Sequence, residues 1–226
     1  MVDFQERDTK RSVESEPDES EDEDVADSAT GSDDAEEQAD EVEEATPGAA
    51  IRADEEAEHD HHHHDLETVR AAVVTVSSTR SREDDTAGDA IEAALRDSGA
   101  EIPTRDVIRD DFDNVQSAVD ALVGRDDVDV VVTTGGTGVT PDDVTVEAIR
   151  PLFEKELPGF GELFRRLSFE EIGTKVVGTR AVAGIADGVP VFCLPGSENA
   201  ARLGTEEIIV EEASHLAGLA KRSEGH

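Results

Sequence analysis

Three glycines in four positions, Gly135, Gly136 and Gly138, follow the apolar run Val131-Val132-Thr133-Thr134. Glycines so spaced after a strand remove the Cβ atoms that would hold a ligand off the backbone, and they free main-chain N–H groups to cradle an anion. No lysine follows them, which excludes a Walker loop, and the spacing is not that of a dinucleotide fingerprint. Taken alone, such a segment also reads as a tight turn. Its neighbours give it chemistry: Asp142 and Asp143 lie just beyond, and Asp110 closes the preceding strand at a position expected to be adjacent across the sheet. Carboxylates beside a phosphate cradle repel the ligand unless a hard cation sits between them. Mg²⁺ held by one or two carboxylates and by the ligand's own phosphates meets that need. Asp110 and Asp143 are therefore the candidate metal-binding and catalytic pair. Ser197, opening a helix after Pro195-Gly196, offers a second set of N–H donors for a second phosphate.

Elements around these residues must position them. The apolar stretch 67–77 reads as a strand buried on both faces, and 86–98 as a helix with Ala90, Ile91, Ala94 and Leu95 on one side. The pattern repeats with a strand at 100–108, a helix at 112–123 and a buried strand at 128–134. Further helices are expected at 145–153 and 159–167, shorter strands at 175–182 and 189–194, and a closing helix at 197–219. Strands alternating with helices of this length imply parallel pairing through right-handed crossovers. The fold class is thus α/β, a three-layer α/β/α sandwich with a mostly parallel central sheet. Ligands of such sheets bind outside the carboxyl ends of the strands. Ser77-Ser78-Thr79, Asp110-Asp111, the glycine loop and Pro195-Gly196-Ser197 all gather there.

Charge divides the 226-residue chain in two. Residues 1–66 carry 26 Asp or Glu against 4 Lys or Arg, with few large apolar side chains, and cannot bury enough surface to offset the entropy of ordering. They read as a disordered acidic tail; residues 67–226 form one domain, a size that buries roughly 70% of its unfolded surface. The domain is itself acidic, 31 Asp or Glu against 16 Lys or Arg, and the whole chain has 4 Lys beside 16 Arg. That balance suits a salty cytosol, where a Debye length of about 3 Å at about 1 M salt makes such charge tolerable. It disfavours nucleic acid, since no basic patch exists to neutralise phosphates. Cys193 is the only cysteine, so no intrachain disulfide forms, and its apolar neighbours predict a buried thiol. Neither an apolar leader nor a run of about 18 apolar residues is present, which points to the cytoplasm and away from a membrane. The cluster His59-Asp60-His61-His62-His63-His64-Asp65 has the side chains to ligate a transition metal, but it falls in the tail, with nothing to orient the rings, and reads as solvated linker.

The segment Thr134-Gly135-Gly136-Thr137-Gly138, with Asp143-Val144-Thr145 after it, resembles the signature of the MoaB/Mog family of molybdenum cofactor biosynthesis proteins. Pro158-Gly159-Phe160-Gly161-Glu162, Leu167-Ser168-Phe169, Arg180-Ala181-Val182-Ala183-Gly184 and Leu194-Pro195-Gly196-Ser197 extend the resemblance, and Thr75-Val76-Ser77 and Asp84-Asp85-Thr86 match it loosely, over about residues 68–219. It implies a homotrimer or homohexamer that binds molybdopterin, a pterin dithiolene phosphate. Active members of the family use Mg²⁺ and ATP to attach AMP to its terminal phosphate. By resemblance Asp110 and Asp143 match two acids essential to that transfer, while Thr134, Gly135, Gly136, Thr137, Gly138, Ser77, Asp85, Glu162, Ser168, Pro195, Gly196 and Ser197 are the ligand-binding candidates. The alternative is an oligomer that holds or delivers molybdopterin without catalysis. Ser77 also reads as a strand end, Ser168 as a cap, and Glu162 as a solvated acid in a first helical turn. Arg180 either binds phosphate or pairs with a carboxylate. Ile172, Val176, Val177 and 181–185 form a candidate contact face, or else core.

Overall fold

The computed structural model describes residues 65–221; the histidine cluster at 59–64 and the acidic segment before it lie outside the described residues. The packed domain takes in Leu66, just ahead of the boundary that composition implies. Leu66 packs on the core, its N–H meets the Ser214 carbonyl at 3.5 Å, and the Ser214 hydroxyl donates back to its carbonyl at 2.9 Å.

Six strands, β1 (Arg70–Val76), β2 (Glu101–Ile108), β3 (Val130–Thr134), β4 (Lys155–Glu156), β5 (Val182–Ala186) and β6 (Val189–Leu194), form one mixed sheet in the order β2-β1-β3-β6-β5-β4. β2, β1, β3 and β6 run parallel, whereas β5 and β4 are antiparallel additions. Alternation along the strands decides the layers. Ala71 and Val73 of β1, Val130 and Val132 of β3, and Phe192 and Leu194 of β6 face α1 (Thr86–Asp97), α4 (Pro158–Ile172), α5 (Glu198–Gly204) and α6 (Val210–Ala220). Ala72, Val74, Val131, Val191 and Cys193 face α2 (Phe112–Val123) and α3 (Thr145–Ile149). The expected three layers follow. Phe192 is clamped edge-on by Phe160 with ring centroids 5.2 Å apart, and burying such a ring stabilises by about 1.5–3 kcal/mol.

Helix starts are fixed locally. Asp85, Asp111 and Ser197 precede α1, α2 and α5, and their side-chain oxygens accept from the N–H groups of Gly88, Asn114 and Ala200 at 3.0, 3.2 and 3.4 Å. At the opposite end of the sheet, Asp129 takes the Arg70 backbone N–H at 2.9 Å and the Arg70 guanidinium at 2.8 and 2.7 Å, and also pairs with Lys221. That cluster ties the entry of β1, the entry of β3 and the end of α6 together.

Three expectations need correction. The helix expected at 145–153 stops at Ile149 and tightens into a 3₁₀ turn over Arg150–Leu152, because Pro151 has no N–H to continue it. The helix expected at 159–167 runs further, from Pro158 to Ile172, and ends where Gly173 takes φ +58°. The strand expected at 175–182 begins only at Val182: Gly173–Gly178 is a 3₁₀ turn with Val177 85% exposed, and the strand is Val182–Ala186. A two-residue turn, Asp187-Gly188, with φ of +47° and +71°, folds β5 back on β6 as a tight hairpin. Residues 181–185 are therefore core, and of the candidate contact face only Ile172 and Val177 stay exposed, joined by Phe169. Among the described residues no helix is long and apolar enough to cross a membrane.

Candidate functional site

Parallel pairing brings the carboxyl ends of β2, β1, β3 and β6 to one rim, and a cavity of about 770 Å³ opens there. Its floor is the glycine loop. Gly135 takes φ +100° and passes so close over β1 that a Cβ there would lie 2.2 Å from the Val76 carbonyl oxygen. Its N–H bonds the Leu194 carbonyl at 3.0 Å, and the Thr134 hydroxyl donates to the Pro195 carbonyl at 2.8 Å. The loop is thereby moored to the end of β6. Gly136, at φ +63°, accepts the Thr145 N–H at 3.0 Å.

Both aspartates reach this loop. β1 separates β2 from β3, so Asp110 is not on the neighbouring strand as expected; it leans across the end of β1 instead. A Cβ on Gly136 would stand 2.9 Å from both Asp110 carboxylate oxygens and 2.2 Å from the Thr145 hydroxyl. That hydroxyl is fully buried and has no hydrogen-bond partner. Burial raises the Asp110 pKa above the ordinary carboxylate value, and the charges of Asp143 and Asp142 add to the rise against a long 3.5 Å contact from the Val144 N–H. Asp143 is held in the opposite direction. Burial disfavours its charge, but the Thr140 hydroxyl at 2.6 Å, the Thr140 N–H at 2.8 Å, the Gly138 N–H and Arg180 outweigh burial and lower its pKa. Environments that drive two neighbouring carboxyls apart are a recurring mark of sites with divided roles.

Arg180 closes the loop from behind. Its Nε donates to the Gly138 carbonyl at 2.6 Å, one Nη to the Asp143 carbonyl at 3.1 Å, and the other pairs with Glu147. It shapes the cradle and does not line the cavity.

Of the sequence candidates, the structure gathers Asp110, Asp143, Gly135, Gly136, Thr137, Gly138, Ser77, Pro195, Gly196 and Ser197 around the cavity. Four lie elsewhere. Thr134 is buried beneath the floor. Asp85 is the buried cap of α1, committed to Thr75 at 2.7 Å, Gly88 and Arg105 at 3.0 Å, which together outweigh burial and lower its pKa. Glu162 is exposed on α4, and Ser168 is buried in α4 with its hydroxyl unpaired. Arg80, Thr140 and Thr179 line the cavity without having been singled out. Only the Ser77-Ser78-Thr79 strand end hinted at Arg80; the roles of Thr140 and Thr179 depend on how the loops fold.

The residues fit a divalent cation of the Mg²⁺ kind. Among the described residues no group of three or more His, Cys, Asp or Glu side chains is arranged to hold a metal by itself. Asp110, a cavity-lining carboxylate with only one long hydrogen bond, supplies a partial oxygen set that ligand phosphates and water would complete, which is how Mg²⁺ is usually bound.

A glycine loop flanked by acids on the carboxyl rim of an α/β/α sheet places the candidate site where domains of the doubly wound type take their ligands. The chain belongs to the family described as the probable molybdopterin binding domain, whose model matches residues 72–215. It is 42% identical over 149 residues to the molybdenum cofactor biosynthesis protein B of Bacillus cereus, covering 66% of this chain and 88% of that one. To the same-named protein of Escherichia coli K12 it is 43% identical over 143 residues, or 63% and 84% of the two chains. The crystal structure of the tungsten cofactor synthesizing protein MoaB from Pyrococcus furiosus superposes with a TM-score of 0.63 at 42% identity, spanning 70% of this chain and 99% of that one.

Proposed function

We propose that this protein binds molybdopterin in the cavity and transfers AMP from ATP to its terminal phosphate, releasing pyrophosphate. One observation carries the catalytic part: the Asp110 carboxylate, held by a single long hydrogen bond, lines the cavity against Gly136 of the glycine cradle. The relatives named for molybdenum cofactor biosynthesis support the choice of pterin.

Asp110 and Asp143 divide the work. Asp143 spends its carboxylate on Thr140 and Gly138, so it holds the loop in shape. Asp110, with one weak hydrogen bond, is the acid left to face a cation. Mg²⁺, when bound, would offset the charge on the phosphoryl oxygens. The N–H groups of Gly135 to Gly138 orient the phosphates, and no side-chain nucleophile is needed, since the terminal phosphate of the pterin is itself the attacking group.

Incubating the full chain with molybdopterin, ATP and Mg²⁺ should give adenylated pterin and pyrophosphate. Asp110→Asn should lower the rate by about 10²–10³, the usual effect of removing one electrostatic contact in a site, with the fold intact. Asp143→Ala should also abolish turnover, through loss of the loop. Tight pterin binding without any ATP-dependent product would replace this reading with that of a binding or delivery protein. We further propose a homotrimer or homohexamer, supported by Phe169, Ile172 and Val177 exposed on and just after α4. Sedimentation equilibrium should give a multiple of the 24.1 kDa chain, and a monomer would refute it.

A further inference from the structure

The cavity is lined by three carboxylates, Asp110, Asp142 and Asp143, and among its described lining residues by a single cation, Arg80. The loop after β1 sets the position of that cation. The Ser77 hydroxyl accepts the N–H groups of Thr79 and Arg80 at 3.3 and 3.2 Å, turning the chain over the strand end. The Arg80 side chain then crosses toward β6, where its Nη1 donates to the Gly196 carbonyl at 2.8 Å. β3 stands between β1 and β6, so this reach spans two strand spacings, roughly 10 Å. Gly196 in turn sits on the cradle: a Cβ there would lie 3.1 Å from the Gly135 Cα.

The partner is as informative as the position. In this acidic domain Arg70, Arg105 and Arg180 each meet a carboxylate. Arg80 meets a neutral carbonyl, and no described carboxylate pairs with it. Its charge therefore stays available at the rim. One of its five N–H donors is used, which leaves the Nε–Nη2 edge for a two-point grip on an oxyanion.

We propose that Arg80 is a phosphate-binding side chain that takes the β6 side of the ligand's phosphate or diphosphate while Gly135 to Gly138 take the other. This rests on reading the cavity as a phosphate site. Arg80 makes the cavity selective for ligands carrying at least one phosphate and lets a polyanion settle beside three acids.

The test is calorimetric titration of the full chain with pyrophosphate in the presence of Mg²⁺, at several salt concentrations. Arg80→Ala should weaken binding about 10- to 100-fold, the range for a lost hydrogen bond to a charged group, with a shallower salt dependence. Arg80→Lys, which keeps charge without the fork, should fall between. Arg80→Gln keeps an N–H donor for Gly196 but loses the charge, and should behave like Arg80→Ala. Wild-type affinity in Arg80→Gln would mean the side chain acts only through Gly196 and would overturn the proposal. So would equal binding by wild type and Arg80→Ala, with the phosphate-site reading left standing. Failure of the wild-type chain to bind pyrophosphate would remove both.

Discussion

Gly135→Ala is expected to lose about 3 kcal/mol or more of folding stability, since a side chain at a glycine-only φ compounds a clash. The new Cβ would sit 2.2 Å from the Val76 oxygen and 3.2 Å from its carbonyl carbon, both main-chain atoms of β1, at φ +100°. Nothing there yields without moving β1 away from β3. Gly136→Ala should act differently. Its Cβ would meet side-chain atoms, the Thr145 hydroxyl at 2.2 Å and the Asp110 carboxylate at 2.9 Å, and its φ of +63° adds backbone strain. That substitution should cost less folding stability than Gly135→Ala and, by displacing Asp110, should also weaken phosphate binding. Gly124→Ala, whose Cβ meets only the Asp120 carbonyl at an ordinary 3.7 Å, should be neutral. Urea unfolding of the three variants, read beside pyrophosphate titration, separates the effects; a Gly135→Ala protein as stable as Gly124→Ala would refute the close passage over β1.

Acidification should unfasten the far end of the sheet first. Asp129 is 2% exposed, and although burial opposes its charge, Arg70 and Lys221 hold its pKa at about 2, against an ordinary 3.8. A carboxyl whose pKa is lower in the folded state stabilises fully above its unfolded pKa, and the contribution fades as pH falls through the folded one. The window is therefore about pH 4 down to about pH 2, and the contribution lost across it is about 2 kcal/mol. Asp129→Asn should remove about the same amount at neutral pH. The loss stays moderate because Arg70 and Lys221, 35% and 41% exposed, can turn to water and are not stranded. Unfolding midpoints of wild type and variant should converge near pH 2; a constant gap down to that pH would refute the linkage.

How much of this was legible depended on range. α2 was read with its observed ends because Gly124 follows it, and β6 because Val189–Leu194 is an unbroken apolar run. The glycine loop and its two aspartates were equally visible, as local chemistry at a strand end. Pro151 should have shortened α3, and the Asp187-Gly188 pair should have announced the hairpin; both signals are local and were outweighed by apolar content nearby. β4, with two residues, has no pattern to read. Tertiary facts were out of reach. Asp85 reads as a loop acid until Arg105, twenty positions on, folds against it, and Arg80 gains meaning only when Gly196 arrives beneath it.

Cys193 carries one more implication. It lies in β6 between Thr133 of β3 and Val182 of β5, fully enclosed, and burial pushes its thiol up to about 12. An alkylating reagent reaches it only when the middle of the sheet comes apart. Its rate of labelling therefore counts the molecule's excursions out of the native state, and copies of this chain stay free of crosslinks through this sulfur for as long as they remain folded.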